Sequence, residues 1–256
     1  MKRKKQITAG RLQIVVSYTV ASLQDTPKAR ADKVKASTAA RQAINLRYFW
    51  QKLEVVLAAN FTARDLFITL TYADESLPPS RTAAVNQVKK FLRRLRDVRR
   101  RRGEQTRYIY VTEQLSAEGG RLHHHLVING TGPGDLEEAS SLWGNGNADV
   151  EHLEVGGNDN AYAEYAKYLT KEARQVGSAE IGARTWVPSL GLSHPEPETA
   201  DMDDNMTIAP PPGAYILEAP PPSRNEHGEF CYLKYLLPIP SKECKYRRPK
   251  KRRKKE

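Results

Sequence analysis

Two histidines, His123 and His125, flank a third in the otherwise apolar run Leu122-His123-His124-His125-Leu126-Val127-Ile128. A β-strand sends alternate side chains to the same face, so this spacing puts both imidazoles on one side and His124 on the other. A second strand-like run, Arg107-Tyr108-Ile109-Tyr110-Val111-Thr112-Glu113, precedes it. Between the two, Ala117-Glu118-Gly119-Gly120 supplies glycines suited to a hairpin turn. Folding about those glycines lays Glu113 opposite the histidines. Two imidazoles and one carboxylate leave open positions on a divalent ion. That donor set suits Mn²⁺ or Mg²⁺ in phosphate chemistry, and Zn²⁺ is compatible with it by ligand type.

Downstream, Asn158-Asp159-Asn160 is a cluster suited to capping a helix, and the helix expected from Ala161 to Arg174 carries Tyr165, Tyr168 and Lys171 at intervals of three. That interval puts the three on one face. A phenol is a poor nucleophile near neutral pH because its free pKa is about 10. A neighbouring lysine, or the field of a metal ion, favours the phenolate. Lys171 follows Tyr168 by one turn, which makes Tyr168 the first choice of nucleophile, and Lys171 can also stabilise charge developing on a phosphate. Attack of Tyr168 on a DNA phosphodiester would leave a 5′-phosphotyrosine and a free 3′-OH. The covalent link keeps the bond energy, so a 3′-OH could rejoin the strand without ATP. Each piece alone has a plainer reading: a packing histidine cluster, a surface carboxylate on a hairpin, a surface tyrosine–lysine pair. Their order and spacing together favour the chemistry.

The elements that must position these groups read as α+β. Residues 29–59 carry apolar side chains at helical spacing, including Ile44, Tyr48, Leu53, Val56 and Leu57, which fit core contacts. Asp65 to Tyr72 is β-branched and aromatic and reads as a buried strand. From Thr82 to Arg101, Val85, Val88, Phe91, Leu92, Leu95 and Val98 form an apolar stripe on a helix otherwise covered by lysine and arginine. Asp135 to Trp143 reads as a helix, Ala148 to Val155 as a strand with His152 at the surface, and Phe230 to Leu237 as a last strand. Ile7 to Leu23 has β-branched character without a clear placement, and Glu196 to Pro222, acidic and proline-rich, reads as a linker or surface loop.

Charge points toward a phosphate backbone. The formal net charge is +11. It is concentrated in Lys2 to Lys5, in Lys89 to Arg102, which holds nine basic residues against Asp97, and in Lys242 to Glu256, which holds ten basic residues and two acidic ones. Such blocks are the footprint of a nucleic-acid binder, although a solvated basic face is the alternative for the helix and a solubilising tail for the ends. Lys89, Lys90, Arg93, Arg94, Arg100 and Arg101, with Lys167, are the candidate DNA contacts. The acidic run Glu196 to Asp204 is expected to cover a basic surface until DNA displaces it. Two cysteines, Cys231 and Cys244, lack metal-site spacing. No apolar run approaches membrane-spanning length, and a soluble, cytoplasmic protein is expected.

Taken in order, three motifs resemble those of the HUH endonuclease superfamily, and most closely the rolling-circle replication initiators of small single-stranded DNA phages and related prophages. Phe67-Ile68-Thr69-Leu70-Thr71-Tyr72 resembles the first motif, Arg121-Leu122-His123-His124-His125 the histidine motif, and Tyr168-Leu169-Thr170-Lys171 the nucleophile motif. The resemblance covers roughly Asn60 to Arg174. It implies His123, His125 and Glu113 as metal ligands and Tyr168 as the nucleophile. His124 stands where the family usually has a hydrophobic or aromatic residue. Glu164 stands where two-tyrosine relatives carry their earlier tyrosine, so a one-tyrosine enzyme is favoured, with Tyr165 a second candidate.

The implied fold is a central antiparallel sheet of HUH or RRM-like type, with the histidine strand in its middle, helices on one or both faces, and basic tails. The implied organisation is a basic N-terminus and leading helix over 1–60, a nuclease core over 61–176, an irregular extension over 177–240 and a disordered basic tail over 241–256. The implied function is metal-dependent nicking and rejoining of a single-stranded DNA origin, a hairpin being one form it can take, with a host helicase and DNA polymerase as partners. A transposase or relaxase of the same chemistry, or a non-catalytic DNA-binding protein on the same fold, are the rivals.

Overall fold

The computed structural model describes residues 1–20, 50–114, 120–172, 186–225 and 228–239. In chain order they form β1 (Lys2–Ala9), β2 (Leu12–Thr19), helix α1 (50–60), β3 (Leu66–Leu70), α2 (Arg81–Arg101), β4 (Tyr108–Gln114), β5 (Leu122–Ile128), α3 (Asp135–Trp143), β6 (Ala148–His152) and α4 (Ala161–Leu169). Five further strands follow: β7 (Val187–Pro188), β8 (Glu198–Met202), β9 (Tyr215–Glu218), β10 (Ser223–Asn225) and β11 (Gly228–Leu236). The fold is α+β with antiparallel sheets, as expected.

The first sheet has the order β6-β3-β5-β4-β7, with the histidine strand β5 at its centre. Strand alternation decides what each face receives. Leu122, Leu126 and Ile128 point to one side, where Val88, Phe91, Leu92 and Leu95 of α2 and Trp143 of α3 cover them. Val127, two residues beyond His125, points to the other side and packs with Phe67, Ile109 and Val111 against Leu53 and Leu57 of α1 and Ala166 and Leu169 of α4. Each large apolar side chain fully buried this way contributes roughly 1.5–3 kcal/mol. Helices on both faces leave β5 rigid, which a metal site requires.

Helix α2 begins at Ser80, whose hydroxyl accepts a hydrogen bond from the Ala83 amide. Its stripe does not stop at the last apolar residue. Arg99, one turn beyond Leu95, is fully buried and donates to the Asn129 carbonyl at 2.7 Å, to Asp135 at 3.1 Å and to Glu138 at 3.3 Å. This arginine ties α2 to α3 and to the end of β5.

The second sheet corrects several expectations. Its order is β10-β11-β2-β1-β8, and β9 also pairs with β11. Residues Met1 to Lys5, expected to be disordered, are drawn into strand β1, which pairs with β2 from Lys2↔Thr19 to Ala9↔Leu12. The turn is made at Gly10 (φ +57), where a Cβ would lie 2.8 Å from the Ala58 carbonyl oxygen. On its other edge β1 pairs with β8, so the acidic run expected to be a loop is in part a strand against the basic one. Arg3 meets Asp201 at 3.2 Å, and the N-terminal amine meets Asp204 at 3.0 Å. Opposite charge together with backbone pairing makes a strand of residues whose composition favours neither. The stretch expected to be irregular beyond 177 likewise contains β7 to β11.

Helix α1 lies between the sheets. Val55 and Ala58 pack on Ala9, Leu12, Ile14 and Leu236 of the second sheet, and Leu53, Val56 and Leu57 on the first. The leading-helix residues before 50, the turn at 115–119, the end of the tyrosine helix beyond 172 and the basic tail lie outside the described residues.

Candidate active site

The hairpin register lays Glu113 directly opposite His123, and Val111 opposite His125. On the other side β3 sets Thr69 opposite His125. These pairings follow from alternation, and they decide the site. Glu113 is fully buried. His123 Nε2 lies 3.4 Å and His125 Nε2 3.6 Å from its Oε2. One donor atom from each of the three residues falls within 4.8 Å of the others.

The imidazoles are oriented from behind. His123 Nδ1 lies 3.0 Å from the Arg121 carbonyl oxygen, an acceptor only, so Nδ1 carries the proton and Nε2 presents its lone pair. His125 Nδ1 lies 3.1 Å from Thr69 Oγ1. When Nδ1–H donates to that hydroxyl, Nε2 of His125 faces the site with its lone pair too. Burial, reinforced by His123 and Lys171, pushes the His125 pKa down to about 3, which keeps this ring neutral. His123 goes the other way: the Glu113 carboxylate beside it raises its pKa, against a smaller lowering by burial.

The donor set fits a divalent ion. Both Glu113 carboxylate oxygens are buried without a well-formed hydrogen bond. A buried carboxylate in that condition is costly unless a cation compensates it. The Lys171 ammonium, 3.1 Å from Oε2, supplies part of that compensation.

Tyr168 faces the same place. Its hydroxyl lies 3.2 Å from His125 Nε2 while the residue remains 42% exposed. The Lys171 ammonium sits 3.6 Å from the centre of the Tyr168 ring. The helix does not run on to Arg174 as expected: α4 ends at Leu169, Thr170 caps it, and only residues 171–172 resume helical geometry. Lys171 therefore reaches Glu113 from a break in the helix and not along one continuous face. Glu172 holds that break in place, accepting from Arg81 at 2.9 and 3.1 Å and from the Gln114 amide at 3.3 Å. Asn160 occupies the N-cap position as expected, but its side chain makes no cap hydrogen bond.

Tyr165 is placed differently. Its hydroxyl accepts from the Glu154 amide at 3.2 Å, and its ring packs 5.3 Å from Phe67. Phe67 also stacks on His125 at 5.7 Å and meets Tyr168 edge-on at 6.0 Å. With Thr69, Glu151 and Glu164 these residues line an open cleft of about 440 Å³ beside the Tyr168 hydroxyl. Phe67 and Thr69 lie in the first motif, yet neither was singled out for a role. Their spacing of two on a strand bordering β5 was the signal available.

His124 points away, as alternation requires. It is buried between Tyr72, 2.7 Å from its Nε2, and Thr112, 2.9 Å from its Nδ1. Burial pushes its pKa down to about 3.

The candidate DNA contacts on α2 are not gathered at the site. Lys89, Lys90, Arg93, Arg94, Arg100 and Arg101 are exposed, but α2 covers the face of the sheet opposite His123 and His125. Lys167 pairs with Glu164 at 2.8 Å and lies 5.4 Å from the Trp50 ring centre.

Residues 65–173 match the family model of the replication-associated protein ORF2. This core is of the replication-associated type. The family is one of rolling-circle initiators, in keeping with an HUH-type initiator. The replication-associated match covers under half of the chain, from just before β3 to just past α4, and every residue of the candidate site lies within it. The second sheet lies outside the replication-associated region. The chain has no significant match among curated proteins or among solved structures. Among the described residues, no helix is long and apolar enough to cross a membrane.

Proposed function

We propose that this chain nicks and rejoins single-stranded DNA at a replication origin, using Tyr168 as nucleophile and a divalent ion held by Glu113, His123 and His125. The observation that carries the reading is the Tyr168 hydroxyl, 3.2 Å from His125 Nε2, at the edge of the three-donor cluster. Mn²⁺ or Mg²⁺ at these donors would polarise the scissile phosphate and fix it in line for attack.

The remaining work falls to the chain's own residues. The Tyr168 oxygen attacks phosphorus, loses its proton to solvent, and forms the P–O(Tyr) bond as the P–O3′ bond breaks. The O3′ leaving group takes up a proton and departs as a free 3′-OH, while the 5′ side stays on Tyr168. Lys171 neutralises charge on the phosphoryl oxygens. Thr69 and the Arg121 carbonyl keep the imidazoles aimed, and Phe67 supports the ring of Tyr168. Rejoining is the reverse, with a 3′-OH attacking phosphotyrosine. A free 3′-OH is a primer end, so a host DNA polymerase and a helicase acting in the cytoplasm are the partners this reading implies.

The test is a denaturant-stable adduct. Incubated with Mn²⁺ and single-stranded origin oligonucleotides, the protein should become covalently linked to the 5′ side of the cut. Tyr168→Phe should abolish the adduct, and Tyr165→Phe should retain it. An adduct formed as well by Tyr168→Phe as by the parent would refute the assignment.

A further inference from the structure

Outside the replication-associated region, the second sheet and helix α1 enclose a separate groove of about 550 Å³. Its floor is one face of the sheet: Ile7 of β1, Ile14, Val16 and Tyr18 of β2, and Phe230 and Tyr232 of β11. Phe230 stands directly opposite Tyr18 in the β11–β2 register, and Tyr232 opposite Val16. Cross-strand partners share a face, so the Tyr18 and Phe230 rings lie side by side on the sheet. Phe230 is 48% exposed, unusual for a phenylalanine within a nine-residue strand. Lysines flank the rings: Lys5 lies 5.7 Å from the Tyr18 ring centre, and Lys52 borders the groove from α1. Both lysines are exposed, and among the described residues neither has a carboxylate within salt-bridge distance. Glu196 is the one acidic residue on the rim, and His194 is the other titratable side chain there besides the tyrosines.

From this arrangement we infer that the second sheet is a single-stranded DNA platform, distinct from the cleft at Tyr168, on which unpaired bases stack against Phe230 and Tyr18 while Lys5 and Lys52 hold the phosphates. Exposed rings beside cations are the chemistry that binds single strands without reading their sequence. A duplex fits poorly, because its base faces are already covered by their neighbours. The choice of DNA as ligand rests on the proposed function; the platform itself needs neither metal nor Tyr168.

The experiment measures binding of a fluorescent oligo(dT) to the full chain in EDTA, in a Tyr168→Phe background. Phe230→Ala and Tyr18→Ala should each weaken binding on the order of tenfold. Lys5→Gln with Lys52→Gln should flatten the slope of log K against log salt by roughly 0.7 for each phosphate no longer neutralised. Phe230→Trp should restore affinity, and its emission should change on adding oligo(dT) beyond any change in the parent. A duplex of the same length should respond far less to these substitutions. Unchanged oligo(dT) affinity in Phe230→Ala and Tyr18→Ala variants that melt like the parent would overturn the platform and leave the nicking proposal standing. Weakened binding in those variants, with no covalent adduct from the Tyr168-bearing parent, would do the reverse.

Discussion

Replacing Glu113 by Gln separates the carboxylate's two roles. Without metal, the carboxylate is fully buried and its compensating ammonium belongs to Lys171, whose side chain is 18% exposed and can turn to water. The substitution therefore strands no buried cation, and the metal-free protein should change by no more than about 1 kcal/mol, because removing a poorly hydrogen-bonded buried charge offsets the lost pair. Metal binding behaves otherwise. An ion present at one hundred times its Kd stabilises the folded state by about 2.7 kcal/mol. For a chain of this size that raises Tm by roughly 5–11 °C. Removing one of three donors should weaken the site at least about a hundredfold, leaving about 0.4 kcal/mol at the same concentration, or roughly 1–2 °C. The assay is a thermal melt with Mn²⁺ titrated into EDTA-treated, dialysed protein, parent beside Glu113→Gln. A full Mn²⁺-induced shift in the variant would remove Glu113 from the ligand set and with it the reasoning from the hairpin register.

Buried polar groups away from the metal donors give three further expected outcomes. His124→Phe leaves the Tyr72 and Thr112 hydroxyls without their ring partner and should cost roughly 1–3 kcal/mol in a urea titration, yet leave the Mn²⁺-induced shift intact. Arg99→Met breaks a buried pair with Asp135 and should cost about 3–5 kcal/mol, whereas Arg100→Met, at a side chain 77% exposed, should stay within about 0.5 kcal/mol. Burial pushes the Asp135 carboxyl up, but hydrogen bonds from Thr131 and Gly132 and the Arg99 charge outweigh it and hold the pKa below the usual carboxylate range. A depressed folded-state pKa stabilises above the unfolded-state value of about 3.9 and loses that stability as pH falls through the folded one. Asp135→Asn should accordingly flatten the acid limb of the urea midpoint measured against pH.

The site was legible in the sequence because it is built on periods of two. The placement of His123 and His125, the exclusion of His124 and the partnering of Glu113 all follow from strand alternation and one glycine turn. Arg99 was hidden in a run of four arginines, although its place one turn beyond Leu95 continues the buried stripe of α2. The second sheet was illegible for a different reason. β1 begins Lys-Arg-Lys-Lys, and β8 is almost wholly exposed. Neither carries an apolar alternation, and both become strands only because residues about 200 positions apart pair across the chain, Lys2 with Met202 and Gln6 with Glu198. Local pattern cannot announce a partner that far away. The bend after Leu169 escaped for a similar reason: it depends on Arg81 and Gln114 gripping Glu172 from other elements.

Helix α1 has apolar side chains on both flanks and a sheet against each. A fragment cut to residues 65–173 would lose it, baring Phe67 and Val127 beneath the histidine strand and leaving α4 with half its bedding. The stretch that similarity outlines is thus not a unit that can be excised. In this molecule the catalytic sheet and the sheet behind it stand or melt as one cooperative body, and a change in either is expected to be felt at Tyr168.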